Sequence, residues 1–152
     1  MGSPVQQDVV CVTSQEDVLI VNFDSSTRKI IFTGDDSFPF IYQTISSEIG
    51  AQHTFSSISL EGGVLSIGLQ GMTVSTQTIV QRIDQIIPDE VYTISFQNHD
   101  EQRVTAIRDF RNQFVYFTFP VDDREHSLFP SRTFLFNYNE NNWALLDENY
   151  TT

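Results

Sequence analysis

Short apolar segments separated by polar turns recur along the chain, and nearly all of them span 4 to 7 residues. That length, together with the enrichment in Val, Ile, Phe and Tyr, favours β-strands over helices. The pattern therefore predicts an all-β protein. The predicted strands cover residues 9–13, 17–23, 28–33, 39–45, 56–60, 64–69, 72–75, 91–97, 103–109, 114–119, 133–138 and 143–147.

Polar linkers between consecutive strands predict antiparallel hairpins. The linkers at 24–27, 61–63 and 139–142 are rich in Asp, Ser, Gly and Asn. Because most of these residues favour turns, and Gly and Asn tolerate a positive φ, they suit the tight connections that join antiparallel neighbours. Strands adjacent in sequence are therefore expected to be adjacent in a sheet.

The segment 75–90 departs from the strand pattern. Its apolar residues Ile79, Ile83, Ile86 and Ile87 fall at helical spacing, and Pro88 follows them. Ser75 or Thr76 precedes the run at a position suited to a helix N-cap. The spacing predicts one short helix of two to three turns.

Two internal alignments indicate repeated units. Asn22 aligns with Asn137 at an offset of 115 residues, and Ile67 aligns with Phe117 at an offset of 50. Such offsets predict four-stranded antiparallel blades that bury their faces against one another, as in a propeller. Because closed propellers take about four to eight blades, the chain is expected to be a partial propeller or to have covered edges. The predicted repeat units are about 9–33, 39–87 and 91–148, flanked by an N-terminal tail or tag remnant at 1–8 and a tail at 149–152.

The charge balance narrows the possible partners. The 152 residues hold 8 Lys and Arg against 20 Asp and Glu, a net charge of −12. Tight nucleic-acid binding needs several converging cations, so the composition argues against it. We expect no membrane association, because no apolar run approaches the roughly 20 residues of a membrane helix. Cys11 stands alone in an apolar run and is expected to be a buried thiol.

Catalytic motifs do not stand out from the sequence. His53, His99 and His126 lack a metal-ligand spacing, and the acids offer no identifiable catalytic pair. We therefore assign no catalytic, cofactor-binding or metal-binding residue. The aromatic strands at 114–119 and 133–138 are apolar on both faces, which favours core packing over a ligand platform. Trp143 is interpreted as a core anchor, and ligand stacking is the alternative.

Several stretches in a shared order resemble the propeller of phage head-to-tail connector proteins. That family comprises the packaged-DNA stabilisation proteins and the tail tubular B, or nozzle, proteins of short-tailed phages. The resemblance covers about residues 40–148. It is carried by Gly50, Gly71, Arg82-Ile83, Phe119-Pro120 and the hairpin from Asn137 to Trp143.

The resemblance implies a structural, non-enzymatic virion protein, a subunit of a neck or tail ring around the DNA exit channel. The expected partners are adaptor, portal or tail subunits and copies of the chain itself, in a virion assembled from protein made in the host cytoplasm. DNA would pass nearby without tight binding, since a net negative wall repels it. The residues expected to act as structural anchors are Phe117, Phe119, Pro120, Asn137, Tyr138 and Trp143. Alternatives are a carbohydrate-binding or adhesin-like β module and, ranked last, a fragment of a propeller hydrolase.

Overall fold

A computed structural model describes residues 6–87, 104–121 and 130–147 of the chain. Within these ranges the protein forms three four-stranded antiparallel sheets, each an up-and-down meander in chain order. The all-β class and the four-stranded antiparallel units are confirmed. No helix among the described residues has the length and apolar character needed to cross a membrane.

The three sheets follow one another along the chain. Sheet 1 contains β1 (Val9–Gln15), β2 (Val18–Phe23), β3 (Thr27–Phe32) and β4 (Phe40–Ser46). A short 3-10 turn (Thr54–Ser56) leads to sheet 2, with β5 (Ile58–Leu60), β6 (Gly63–Gly68), β7 (Gly71–Ser75) and β8 (Val80–Arg82). Sheet 3 contains β9 (Thr105–Asp109), β10 (Phe114–Phe119), β11 (Arg132–Asn137) and β12 (Asn142–Leu146).

Sheet 2 lies between the other two, because its central strand β6 is buried on both faces. Val64 packs with Val18 and Ile20 of sheet 1. The next residue along the strand points to the opposite face, so Leu65 and Ile67 join Phe117 in the core shared with sheet 3. The first strands also touch, β1 against β5 and β5 against β9. The sheets therefore stack face to face with their first strands together, as blades do in a propeller.

A close crossing at Gly50 connects sheet 1 to sheet 2. The Ala51 N–H donates to the Phe23 carbonyl at 2.8 Å, and the Gln52 N–H donates to the Ile67 carbonyl at 2.9 Å. A Cβ at position 50 would lie 2.2 Å from the same Phe23 oxygen. Only glycine lets the backbone pass so close to the end of β2.

The helix predicted within 75–90 is wrong for the described part of that segment. Thr76 closes a turn instead, with its N–H on the Ile79 carbonyl at 2.8 Å and its Oγ1 accepting from the Ile79 N–H at 3.1 Å. The chain then forms β8, which pairs with β7. Hydroxyl side chains that bind nearby backbone groups compete with helix formation, and strand pairing satisfies the remaining backbone groups. Pro88, the predicted helix stop, lies outside the described residues.

The first predicted repeat unit ends too early. The sequence pattern places residues 39–45 in the second unit, but Phe40 pairs with Phe32 and Tyr42 pairs with Ile30, so β4 completes sheet 1. Sheet 1 is a full four-stranded unit and not half of one. Alternation along a strand does not reveal which neighbour it pairs with, and a polar linker separates this strand from those on both sides. The predicted strand at 91–97 lies outside the described residues.

The two internal alignments differ in outcome. The offset of 50 correctly matches β6 with β10, each the second strand of its sheet. The register is wrong by one residue, because Ile67 faces sheet 3 whereas Phe117 faces sheet 2. Increasing the offset by one residue aligns Val64 with Val115, and each of these residues faces the preceding sheet. The offset of 115 is wrong, since it places the second strand of sheet 1 on the third strand of sheet 3. Hairpins share their turn chemistry, so one hairpin can align with the wrong member of another sheet.

Candidate functional site

The outer face of sheet 1 is apolar and open to solvent. Directly paired residues of antiparallel strands share a face, and Leu19, Ile30 and Tyr42 pair in a row across the sheet. Phe32 and Phe40 form the next row, with ring centroids 5.7 Å apart. Tyr42 is 69% exposed, Phe32 66% and Phe40 50%. We call Val12, Leu19, Ile30, Phe32, Phe40 and Tyr42 the sheet 1 outer face.

Sheet 3 carries a second apolar face, which points away from sheet 2. Tyr116 pairs with Ile107 on one side and with Leu135 on the other, and Leu135 pairs with Ala144. Ile107 is 37% exposed, and Ala144 is also exposed. A hollow of about 400 Å³ lies beside Phe114 and Leu135. We call Ile107, Phe114, Tyr116, Leu135, Ala144 and Leu146 the sheet 3 outer face.

Arg108 forms a polar clamp between sheet 3 and sheet 2. Its guanidinium donates from Nη1 to the Ser59 carbonyl at 2.9 Å and from Nη2 to both Glu61 carboxylate oxygens, at 2.5 and 2.6 Å. Nη2 also lies 3.2 Å from the Tyr138 hydroxyl. The guanidinium covers the rings of Phe110 and Tyr138, at 4.3 and 4.9 Å from their centroids. One side chain thus ties β9 to β5 and to the turn after it.

The two ends of the clamp differ in exposure. The Arg108 side chain is 10% exposed, whereas that of Glu61 is 77% exposed. Hydrogen bonding to Arg108 lowers the pKa of the Glu61 carboxyl. This carboxylate is already occupied by a cation at the surface. Its environment is the opposite of the one that raises the pKa of a catalytic acid.

A cleft of about 450 Å³ opens beside the clamp, between the β5–β6 turn and the β11–β12 turn. Its mouth carries Asn139 and the positive-φ residues Gln113 and Asn141. Glu61 and Tyr138 supply its titratable groups, and both are engaged by Arg108. The described lining of the cleft therefore offers amides and aromatic surface, and both of its titratable groups are engaged.

The residues expected to be structural anchors lie in or beside the core between sheets 2 and 3. Phe117 and Phe119 are fully buried, and Pro120 is buried after them. Phe119 stacks on Phe134 with centroids 4.5 Å apart. Tyr138 is half-buried against the Arg108 clamp.

Asn137 and Trp143 hold the last hairpin. The Asn137 Oδ1 accepts from the backbone N–H groups of Asn139 and Glu140 at 3.0 and 3.1 Å, which fixes the turn. The Trp143 ring stacks on Phe136 at 4.3 Å and meets Phe134 edge-on at 6.2 Å. With one ring face against Phe136, Trp143 packs at the edge of the core and does not stand out as a free stacking platform.

Cys11 and Asp84 are buried groups whose polar atoms have hydrogen-bond partners. Burial raises the pKa of the Cys11 thiol, which accepts a long hydrogen bond from the Asn22 side chain at 3.5 Å. Asp84 is fully buried, and its carboxylate accepts from Arg82 and from the Met72 N–H. The described residues hold no group of three or more His, Cys, Asp or Glu suited to a metal ion. His53 is buried, and His99 and His126 lie outside the described residues.

Sequence reasoning missed the Arg108 clamp and both outer faces. The clamp joins residues 47 to 49 positions apart, and no local spacing predicts such a contact. A weak signal for the sheet 1 outer face exists in the stretch "FPFIYQTI", where both strand faces read as apolar. No protein-family model matches the chain, and no curated protein matches it.

Proposed function

We propose that the chain is a non-enzymatic assembly subunit, and that it serves as a structural virion protein in the neck or tail of a phage. The observation that carries the assembly role is the open stack of three blades, whose outer faces expose aromatic and aliphatic side chains. Contiguous exposed apolar surface is typical of protein interaction sites. The phage setting rests on the sequence resemblance over residues 40–148.

The expected partners are adaptor, portal or tail proteins and further copies of the chain. The net charge of −12 suits a wall along which DNA slides, because it repels phosphates. Arg82 and Arg108 are held in ion pairs with Asp84 and Glu61, which leaves fewer cations for phosphate contacts. A gel-shift assay at low salt should show no retention of duplex DNA by the protein.

The carbohydrate-binding alternative receives less support from the geometry. Trp143 is the strongest candidate for stacking on a sugar ring, and such stacking requires a free aromatic face. The ring is stacked on Phe136, and its Nε1 is shielded from solvent and has no acceptor among the described residues. For the catalytic alternative, the cleft beside the clamp supplies one carboxylate among its described lining residues, Glu61, which Arg108 engages.

The virion role is tested on particles of the phage that encodes the chain. An antibody against the protein should label a single vertex of purified, DNA-filled particles, and mass spectrometry should find it at a fixed ratio to the portal protein. Tail-less heads serve as the control for a tail location. Absence of the protein from purified particles, or a gene that lies outside any phage genome, would reject the proposal.

A further inference from the structure

We propose that two copies of the chain join by seating the sheet 1 outer face of each copy on the sheet 3 outer face of the other. This inference rests on the proposed assembly role and specifies its surfaces and stoichiometry. The contact would continue, between copies, the stacking that joins sheets 1, 2 and 3 within one chain.

No described sheet covers either outer face, so within the described residues the two faces are the unmatched halves of a junction that occurs twice inside the chain. Each sheet has one side that faces the following sheet in chain order, its later-facing side, and one that faces the preceding sheet, its earlier-facing side. At each internal junction the later-facing side of one sheet packs on the earlier-facing side of the next. Val64 and Val115 lie on earlier-facing sides, and in sheet 1 that side is the exposed one with Leu19. Ile20 and Leu65 lie on later-facing sides, and in sheet 3 that side carries the exposed residues Ile107 and Ala144.

Closure with two copies follows from the number of sheets. A contact between two different faces builds an open array unless the rotation closes it. Two copies supply twice the three sheets of one chain, which falls within the about four to eight blades of closed propellers. The touching first strands β1, β5 and β9 would then line a common axis.

The three exposed rings of the sheet 1 outer face supply a little under half of the area that a stable pair needs from each copy. An aromatic side chain has about 200 Å² to bury, so Phe32, Phe40 and Tyr42 at 66, 50 and 69% exposure offer roughly 370 Å². A stable interface needs about 800 Å² from each partner. Twofold closure buries both outer faces of each copy, and the hollow of about 400 Å³ beside Phe114 gives the protruding rings of β4 a place to enter.

The net charge of the chain lets the salt dependence of pairing distinguish an apolar junction from one held by ion pairs. Each copy carries a net charge of −12, so copies repel one another at low ionic strength. An apolar junction should therefore strengthen as salt screens this repulsion. A junction held by ion pairs would weaken under the same change.

Sedimentation velocity on the full chain and three variants tests the pairing. Tyr42→Asp places a charge on the sheet 1 outer face, and Ala144→Asp places one on the sheet 3 outer face. Leu69→Asp is the matched control, because Leu69 is 64% exposed in the β6–β7 turn of the middle sheet. Thermal melts of all four proteins establish that each variant is folded.

We expect the wild type and Leu69→Asp to sediment at twice the 17.4 kDa chain mass, more completely at high salt. Each face variant alone should be monomeric, with a dimer Kd raised at least about 30-fold, the loss of an interface hot spot. In an equimolar mixture of the two face variants, the mixed pair should associate more tightly than either variant with itself. One junction of the mixed pair has both faces intact, whereas both junctions of each single-variant pair carry a charge.

Two results would overturn the inference: a monomeric wild type, or an Ala144→Asp variant that dimerises as tightly as the wild type. An Ala144→Asp dimer would mean that two sheet 1 faces meet. A monomeric wild type that is nevertheless found in virions would leave the proposed function standing and remove only this pairing.

Discussion

Replacing Arg108 with Ala should separate the contribution of the clamp from that of the apolar core. The variant loses a charge-assisted hydrogen bond to the Ser59 carbonyl, a contact of roughly 1.5 to 3 kcal/mol. It also loses ring contacts with Phe110 and Tyr138, of about 0.5 to 1 kcal/mol each. Together we expect a loss of about 2.5 to 5 kcal/mol, a large share of the roughly 5 to 15 kcal/mol typical of a domain.

Urea unfolding followed by circular dichroism and by Trp143 fluorescence measures this loss. Arg108→Met keeps the apolar stem without the donors and should fall between the wild type and Arg108→Ala. Glu61→Ala removes only the exposed end of the clamp and should have a much smaller effect. If Glu61→Ala and Arg108→Ala are equally destabilised, the Ser59 and ring contacts do not hold the sheets together and the reasoning fails.

The clamp also predicts a pH dependence. Arg108 lowers the pKa of Glu61 in the folded protein, so this contact stabilises the fold above the carboxyl's ordinary pKa. The contribution is lost as the pH falls through the lowered folded value. Glu61→Gln should remove that part of the acid-side loss, and an unchanged pH profile in this variant would contradict the assignment.

Three further predictions concern single residues. Gly71→Ala should lower the free energy of unfolding by at least about 1 to 3 kcal/mol, because Gly71 has a φ of +107° and a Cβ there would lie 2.0 Å from Asp84 Oδ2. Gly62→Ala is the control in the same unfolding assay, because a Cβ at Gly62 would have nothing within 4 Å. Trp143→Ala should lower the free energy of unfolding by about 3 kcal/mol through lost stacking on Phe136. Trp143→Phe should cost clearly less, because the Trp143 Nε1 donates no hydrogen bond among the described residues. Equal losses for the two variants in thermal unfolding would contradict this. Cys11, 6% exposed with a raised pKa, should react with a thiol reagent only after unfolding, and rapid labelling of the native protein would show that the site is open.

The strands were predictable from sequence because each carries its own signal. Segments such as "VLIVNF" and "FVYFTF" have strand length and are bounded by turn residues, and the structure places β2 at Val18–Phe23 and β10 at Phe114–Phe119. Local chemistry also fixes the hairpins. Fold class and most strand positions therefore follow from interactions within about ten residues of the chain.

Features that depend on distant contacts were not predictable. Helical spacing of Ile79 and Ile83 was outweighed by the Thr76 turn and by pairing with β7, which brings Asp84 to the Met72 N–H. The Arg108 clamp and the partner of β4 likewise depend on which sheets meet. The apolar face of β4 resembles any buried strand in sequence, and only the stacking order shows that nothing among the described residues buries its rings.

The mass of the chain in solution, alone and mixed with phage adaptor and tail proteins, tests the central claim most directly. An assembly subunit with two apolar outer faces should form a species larger than its 17.4 kDa chain, either with itself or with one of those proteins. Light scattering coupled to size-exclusion chromatography gives this mass without a reference shape. A compact monomer at every concentration, in the presence of each partner, would contradict the assembly role.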